Sequence, residues 1–134
     1  MRRSTILVCA ALSWLIAVSP RSPAAEAVKS QPTVLMTTPL AGDDEREVKI
    51  VNVILPPGAD SGRHHHPGDQ YTTVQEGEIH ITVDGSGEHV LKAGEALHID
   101  PMVVHRTRNL TDKPARTTEV FIVAKGKPIT EKSE

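Results

Sequence analysis

The chain has 134 residues, a formal net charge of −2 and a single cysteine, Cys9, which gives room for one domain around one hydrophobic core. Its 15 basic residues are scattered through the sequence, with no clustered face of the kind that grips a phosphate backbone, so nucleic acid is excluded as a partner. One thiol builds no disulfide, and with one Trp, one Tyr and one Phe the core has to come from Val, Ile and Leu.

Residues 1–27 have the order of a secretory signal peptide: Arg2 and Arg3, an apolar run over 6–18 broken only by Ser13, then a stretch rich in Pro and Ala. The run is shorter than the roughly 20 residues a spanning helix needs, so an uncleaved membrane anchor is the weaker alternative. Cleavage is expected after Ala27 or Ala25, giving a periplasmic or secreted protein with no membrane partner. Cys9 leaves with the signal. So do Arg2, Arg3, Arg21 and Glu26, which reduces 15 basic and 17 acidic residues to 12 and 16, a mildly acidic mature chain.

Residues 28–46 mix Pro, Thr and acidic side chains around an apolar patch at 33–36 and read as an extended N-terminal arm, suited to adding a strand to a partner's sheet in a homodimer. Residues 47–55 alternate branched apolar with polar side chains, the period of a strand, and Pro56, Pro57 and Gly58 stop it. Further strands are predicted at 63–66, 70–75, 78–83, 89–92, 96–99, 103–108 and 117–123, separated by Gly and Pro turns. No part of the mature chain keeps a 3.6-residue period, so the fold class is all-β, a sandwich or barrel over 47–123. The Lys- and Glu-rich residues 124–134 read as a loose tail.

All seven histidines lie between His64 and His105. On an extended segment residues two apart share a side, so His64 and His66 project together and His65 projects away. A third ligand from a distant strand, His105, would then close a site for one divalent transition-metal ion.

These residues carry a resemblance to the cupin superfamily. Its first motif spaces Gly, two His, Glu and Gly as Gly58, His64, His66, Gln70 and Gly77 are spaced here, with Gln70 in place of Glu. Its second is similar to Gly94, His105 and Asn109, with Asp100 and Met102 where the family has Pro and Gly. The resemblance implies a single-domain jelly-roll barrel, often dimeric, with a metal (Fe, Mn, Zn or Ni) held by His64, His66 and His105 and helped by Gln70. A neutral Gln leaves such a site more electrophilic than Glu would. The combination of three His and Gln resembles the small cupin that opens unsaturated uronates.

For the remaining polar residues, strand alternation sends Tyr71 to the face opposite Gln70, as a packing aromatic. It also turns Arg106 and Arg108 away from His105. His65 is expected to face outward and His98 to be structural or a pocket wall, while Asp100 sits in the turn before His105. Two functional classes follow: a metal-dependent enzyme, oxygenase or isomerase or lyase, acting on a small oxygen-rich molecule, and a non-catalytic protein that captures a small ligand or a metal. The sequence offers no clear inward-facing base, which keeps the second class open, and no catalytic residue is assigned.

Overall fold

A strand of alternating residues has one apolar face, and two sheets must meet to bury their faces together. The computed structural model describes residues 28–133; the signal-peptide reading lies outside them. Within them the chain forms ten strands: β1 (Gln31–Leu40), β2 (Asp43–Leu55), β3 (His64–His65), β4 (Asp69–Glu76), β5 (Glu78–Val83), β6 (Gly87–Lys92), β7 (Ala96–Ile99), β8 (His105–Arg108), β9 (Ala115–Ala124) and β10 (Glu131–Lys132). They make two five-stranded sheets, ordered β1-β2-β9-β4-β7 and β10-β3-β8-β5-β6, with antiparallel pairing between the strands. The all-β jelly roll expected from the sequence is what the chain adopts. No helix in the described residues is long and apolar enough to cross a membrane.

The predicted period of 2 is clearest in β5, where Ile79, Ile81 and Val83 are buried while Glu78, His80 and Thr82 are less so. They meet Val51, Val53 and Leu55 of β2, Val74 of β4, and Phe121 and Val123 of β9 in one core cluster. Burial of each such side chain stabilises the fold by roughly 1.5–3 kcal/mol.

Three local features aim the segments that matter later. The turn entering β4 crosses β9 so closely that a Cβ on Gly68 would sit 1.9 Å from the Ile122 carbonyl oxygen, so only glycine fits. Asn109 is completely buried and acts as a clamp. Its amide nitrogen donates to the carbonyls of Leu55 and Lys113, each at 2.8 Å, and its oxygen accepts from Thr111 N–H and Oγ1. Met102 occupies the left-handed region at φ 64°, where the related motif has glycine, and its N–H donates to the His66 carbonyl at 2.8 Å.

Two of the sequence expectations differ from the structure. Residues 28–46, expected as an extended arm, are extended but paired within the chain: β1 pairs with β2 from Gln31↔Ile54 to Leu40↔Asp43, and β2 begins four residues earlier than the alternation indicates. Pro32 and Pro39 obscured the strand, yet β1 is an edge strand, where proline is tolerated. Nor is the tail loose, because β10 pairs with β3 through Glu131↔His65 and Lys132↔His64. Its charged composition said nothing about its backbone, and backbone hydrogen bonds hold it.

Candidate metal centre

His64 and His105 are direct cross-strand partners, one on β3 and the other on β8, and His66 follows two residues after His64 on the same side. All three are buried. Their ring centroids are 4.3 to 5.0 Å apart, and each offers a ring nitrogen within 4.8 Å of the other two. The outer nitrogens are already engaged with backbone oxygens. Nδ1 of His64 lies 3.0 Å from the Gly62 carbonyl, Nδ1 of His66 2.7 Å from that of Ile129, and Nδ1 of His105 3.0 Å from that of Val103. A carbonyl only accepts, so each Nδ1 carries the proton and each Nε2 presents a lone pair, the tautomer a metal ligand requires.

Nε2 of His66 and of His105 are buried without a protein partner, as is Oε1 of Gln70. Buried polar atoms are rarely left unbonded. Three acceptors without donors, next to a third imidazole, are the donor set of a borderline divalent cation. The residues present therefore fit a metal ion.

Gln70, on β4, faces Phe121 of β9 across the ladder and lines the same cavity as His64 and His66. Its amide nitrogen donates to Thr72 Oγ1 at 3.1 Å and to Glu119 Oε2 at 3.3 Å, which leaves Oε1 as the atom free to meet a cation. Glu119 is the residue that reading the sequence overlooked. It shares its phase on β9 with Thr117, Phe121 and Val123, so its inward direction was legible from the alternation. Thr117 Oγ1 donates to its other oxygen at 3.2 Å. The carboxylate missing from position 70 is thus present one strand away, hydrogen-bonded to the glutamine that replaced it.

Burial dominates the electrostatics. It pushes His66 down to about 3 and His105 down to about 4, and lowers His64 as well, so the triad is neutral and ready to ligate at neutral pH. Burial likewise pushes the Glu119 carboxyl up to about 7, against the hydrogen bonds from Thr117 and Gln70 that favour its charged form. Glu119 is enclosed by protein yet only half-buried by exposure, since part of its surface opens into the cavity. A bound cation would pull it down again.

The cavity has a volume of about 450 Å³. His64, His66, Gln70 and Glu119 give it chemistry, Val51, Val53, Leu55, Phe121 and Ile129 give it apolar walls, and among the described residues no Lys or Arg lines it. Phe121 packs against the edge of the His66 ring at 4.7 Å.

The other expected polar residues fall elsewhere. Tyr71 points outward as expected and stacks on His98 at 4.6 Å. His98 is itself exposed, bonded to Asp69 Oδ1 at 2.9 Å, and is no wall of the cavity. Asp100 is exposed beside them. Arg106 pairs with Asp60 and Arg108 with Glu88 on the surface. His65 faces away from the triad, where Ser133 Oγ lies 2.8 Å from its Nδ1 and Glu131 Oε2 3.1 Å from its Nε2.

With fold and site in place, the class is that of small β-sandwich proteins with a buried three-histidine centre. The chain belongs to the cupin domain family, whose model matches residues 51–127. Among solved structures, a cupin domain from Bordetella pertussis is 25% identical over 72% of this chain and 96% of its own, with a TM-score of 0.56. An oxalate oxidase in complex with the substrate analogue glycolate is 26% identical, covering 55% of this chain and 41% of its own, with a TM-score of 0.52. The DMSP lyase DddQ from Ruegeria pomeroyi shares the fold at a TM-score of 0.64 with 17% identity, over 78% of this chain and 52% of its own. No curated protein matches the chain.

Proposed function

We propose that this chain holds one divalent transition-metal ion, Fe, Mn, Zn or Ni, with His64, His66 and His105 and with Gln70 as a fourth donor, and that it is a metal-dependent enzyme of a small molecule. The observation that carries the reading is the convergence of three neutral imidazoles whose Nδ1 atoms are all tied to backbone carbonyls. When bound, the ion supplies Lewis acidity toward an oxygen atom of the substrate.

The rest of the work falls to the chain itself. Glu119 presents a carboxylate to the same cavity, held by Thr117 and Gln70, and is the group placed to take or return a proton. This inward-facing base favours the enzyme over a purely binding protein. The apolar walls exclude water and accept a hydrocarbon body. Among the described residues no Lys or Arg lines the cavity, so the ion would be the main positive partner for an anionic group, which favours a small substrate with few charged groups over a uronate polymer fragment. A small-molecule site also fits the oxalate oxidase relative, which was solved with glycolate.

The basic and then apolar N-terminus supports action in the periplasm or outside the cell. The exposed Val34, Leu35 and Met36 of β1 (55%, 60% and 46% accessible) lie on an edge strand and support a homodimer, which light scattering of the mature protein tests directly.

The function is tested on purified mature protein whose metal is identified by elemental analysis. It is incubated with diketones, phenolics, thiols and unsaturated uronates, with and without oxygen. Turnover lost in His66→Ala is the expected result, oxygen dependence separating oxygenase from isomerase or lyase. Ligand-induced stabilisation without turnover of any panel member would replace the enzyme with a binding protein.

A further inference from the structure

The C-terminal segment touches the centre at more points than its composition suggests. Its Ile129 carbonyl accepts from His66 Nδ1 at 2.7 Å, and Thr130 Oγ1 lies 3.4 Å from the same nitrogen. Ile129 packs against the core, and both Ile129 and Thr130 line the cavity. Beyond them β10 lies along the free edge of β3, and Ser133 N–H donates to the Arg63 carbonyl at 3.2 Å. Glu131 and Ser133 then grip the two nitrogens of His65, whose neighbours on both sides are ligands.

His64 and His105 take their Nδ1 acceptors from residues two positions away in their own strands or turns. His66 alone takes its acceptor from a segment 63 positions further along the chain. Its ring orientation therefore depends on whether that segment is in place.

We propose that residues 127–133 form a positioning strap of the metal centre: docked on β3, they hold His66 in its ligating orientation and complete the cavity wall, so that strap docking and metal binding strengthen one another. The proposal rests on the metal reading given above. Partners that orient a ligating histidine typically change metal affinity 10- to 100-fold. The coupling is reciprocal, so a strap that raises metal affinity is itself held more tightly by the metal.

The test uses the full mature chain and Zn²⁺ alone. Zn²⁺ affinity is measured by calorimetry or chelator competition for the native protein and for a Glu131→Ala/Ser133→Pro double variant. That variant removes both His65 clamps together with the N–H that bonds Arg63, while every metal ligand stays in place. A loss of about 10-fold is expected, at the same 1:1 stoichiometry, with Ser133→Thr alone close to native. In the native protein, hydrogen exchange of amides 130–133 is expected to slow on adding saturating Zn²⁺, by a factor comparable to the affinity lost in the variant. Tight Zn²⁺ binding that the double variant leaves unchanged, or exchange in the strap that ignores Zn²⁺, would overturn the strap and leave the metal centre standing. Failure of the native chain to bind Zn²⁺ at all would overturn both.

Discussion

Among the described residues, two clusters offer three metal-competent side chains each: His64, His66 and His105 inside the fold, and Asp69, His98 and Asp100 on its outer surface. They differ in what their lone pairs are doing. In the inner cluster the Nδ1 protons point outward to backbone carbonyls and two Nε2 atoms have no partner. In the outer one His98 Nε2 is already bonded to Asp69, its ring is covered by Tyr71, and water reaches the rest. A cation entering the inner site satisfies buried atoms that lack partners; at the outer site it would have to break a bond and displace water. Proximity of donors is shared by both, and availability of donors by only one.

The largest effect that can break this comparison is on metal content. His66→Ala or His105→Ala is expected to lower metal affinity more than about 100-fold, beyond what loss of an outer partner does. His98→Ala is expected to leave one ion per chain. Elemental analysis after dialysis checks both, and an ion that persists in His105→Ala but departs in His98→Ala would reverse the assignment.

Next in size is the pH dependence of the metal-free protein. Unfolded histidines titrate near 6.5, whereas burial holds His66 and His105 at about 3 and 4 when folded. Between about pH 4 and 6.5 the unfolded chain therefore binds more protons, and stability falls as pH drops through that window, by on the order of a few kcal/mol. Glu119 works in the opposite direction. Its folded value of about 7 lies above the usual 4.5, so its contribution is present at low pH and is lost as pH rises through about 4.5 to 7. Urea midpoints at pH 4.5 and 7.5 are expected to show the histidine trend prevailing in the native protein and a steeper fall with acid in Glu119→Gln. An unchanged slope in that variant would mean that Glu119 does not oppose the triad.

A smaller effect sharpens the role of Gln70. Gln70→Glu sets two carboxyl groups side by side where an amide now donates to Glu119, and removes the donor to Thr72. At pH 8.5, above the Glu119 value of about 7, where the pair no longer shares a proton, the metal-free variant is expected to lose on the order of 1–2 kcal/mol through like-charge repulsion. Zn²⁺ should then raise its melting temperature more than it raises that of the native protein. A metal-free variant as stable as the native chain would show that the two side chains are not in contact in solution.

How legible these differences were depended on where their cause lies. The inner triad was readable because strand alternation fixes which side His64 and His66 share, and because the motif spacing identified His105 as their distant partner. β5 and the core of β2 were readable for the same reason, since a half-buried strand displays its two faces as a pattern. Glu119 was within reach of the same rule, in phase with Phe121 and Val123, but a lone acid in a strand of Thr and Val attracts no notice until its neighbours in space are known. The Ile129 carbonyl left no trace at all, because every residue has a carbonyl and only pairing in three dimensions selects one. β1 was hidden by Pro32 and Pro39, which argue against a central strand and say nothing against an edge.

The smallest effect concerns the turn between β7 and β8, whose backbone serves the inner cluster. Met102 holds a left-handed backbone at φ 64°, a conformation that places Cβ against the following carbonyl oxygen and costs an L side chain about 1–2 kcal/mol. Its side chain is largely exposed at 57%, so little packing offsets the strain. What the turn provides is backbone: the Met102 N–H holds the His66 carbonyl, and the neighbouring Val103 carbonyl orients His105. Met102→Gly relieves the strain but leaves the unfolded chain with more freedom to lose, so a net gain of about 0.5–1 kcal/mol is expected in the urea midpoint. Zn²⁺ affinity should stay within about 2-fold of native, since both backbone bonds survive; an affinity loss comparable to that of the strap variant would show that the methionine side chain, and not the turn, is what holds the two histidines in register.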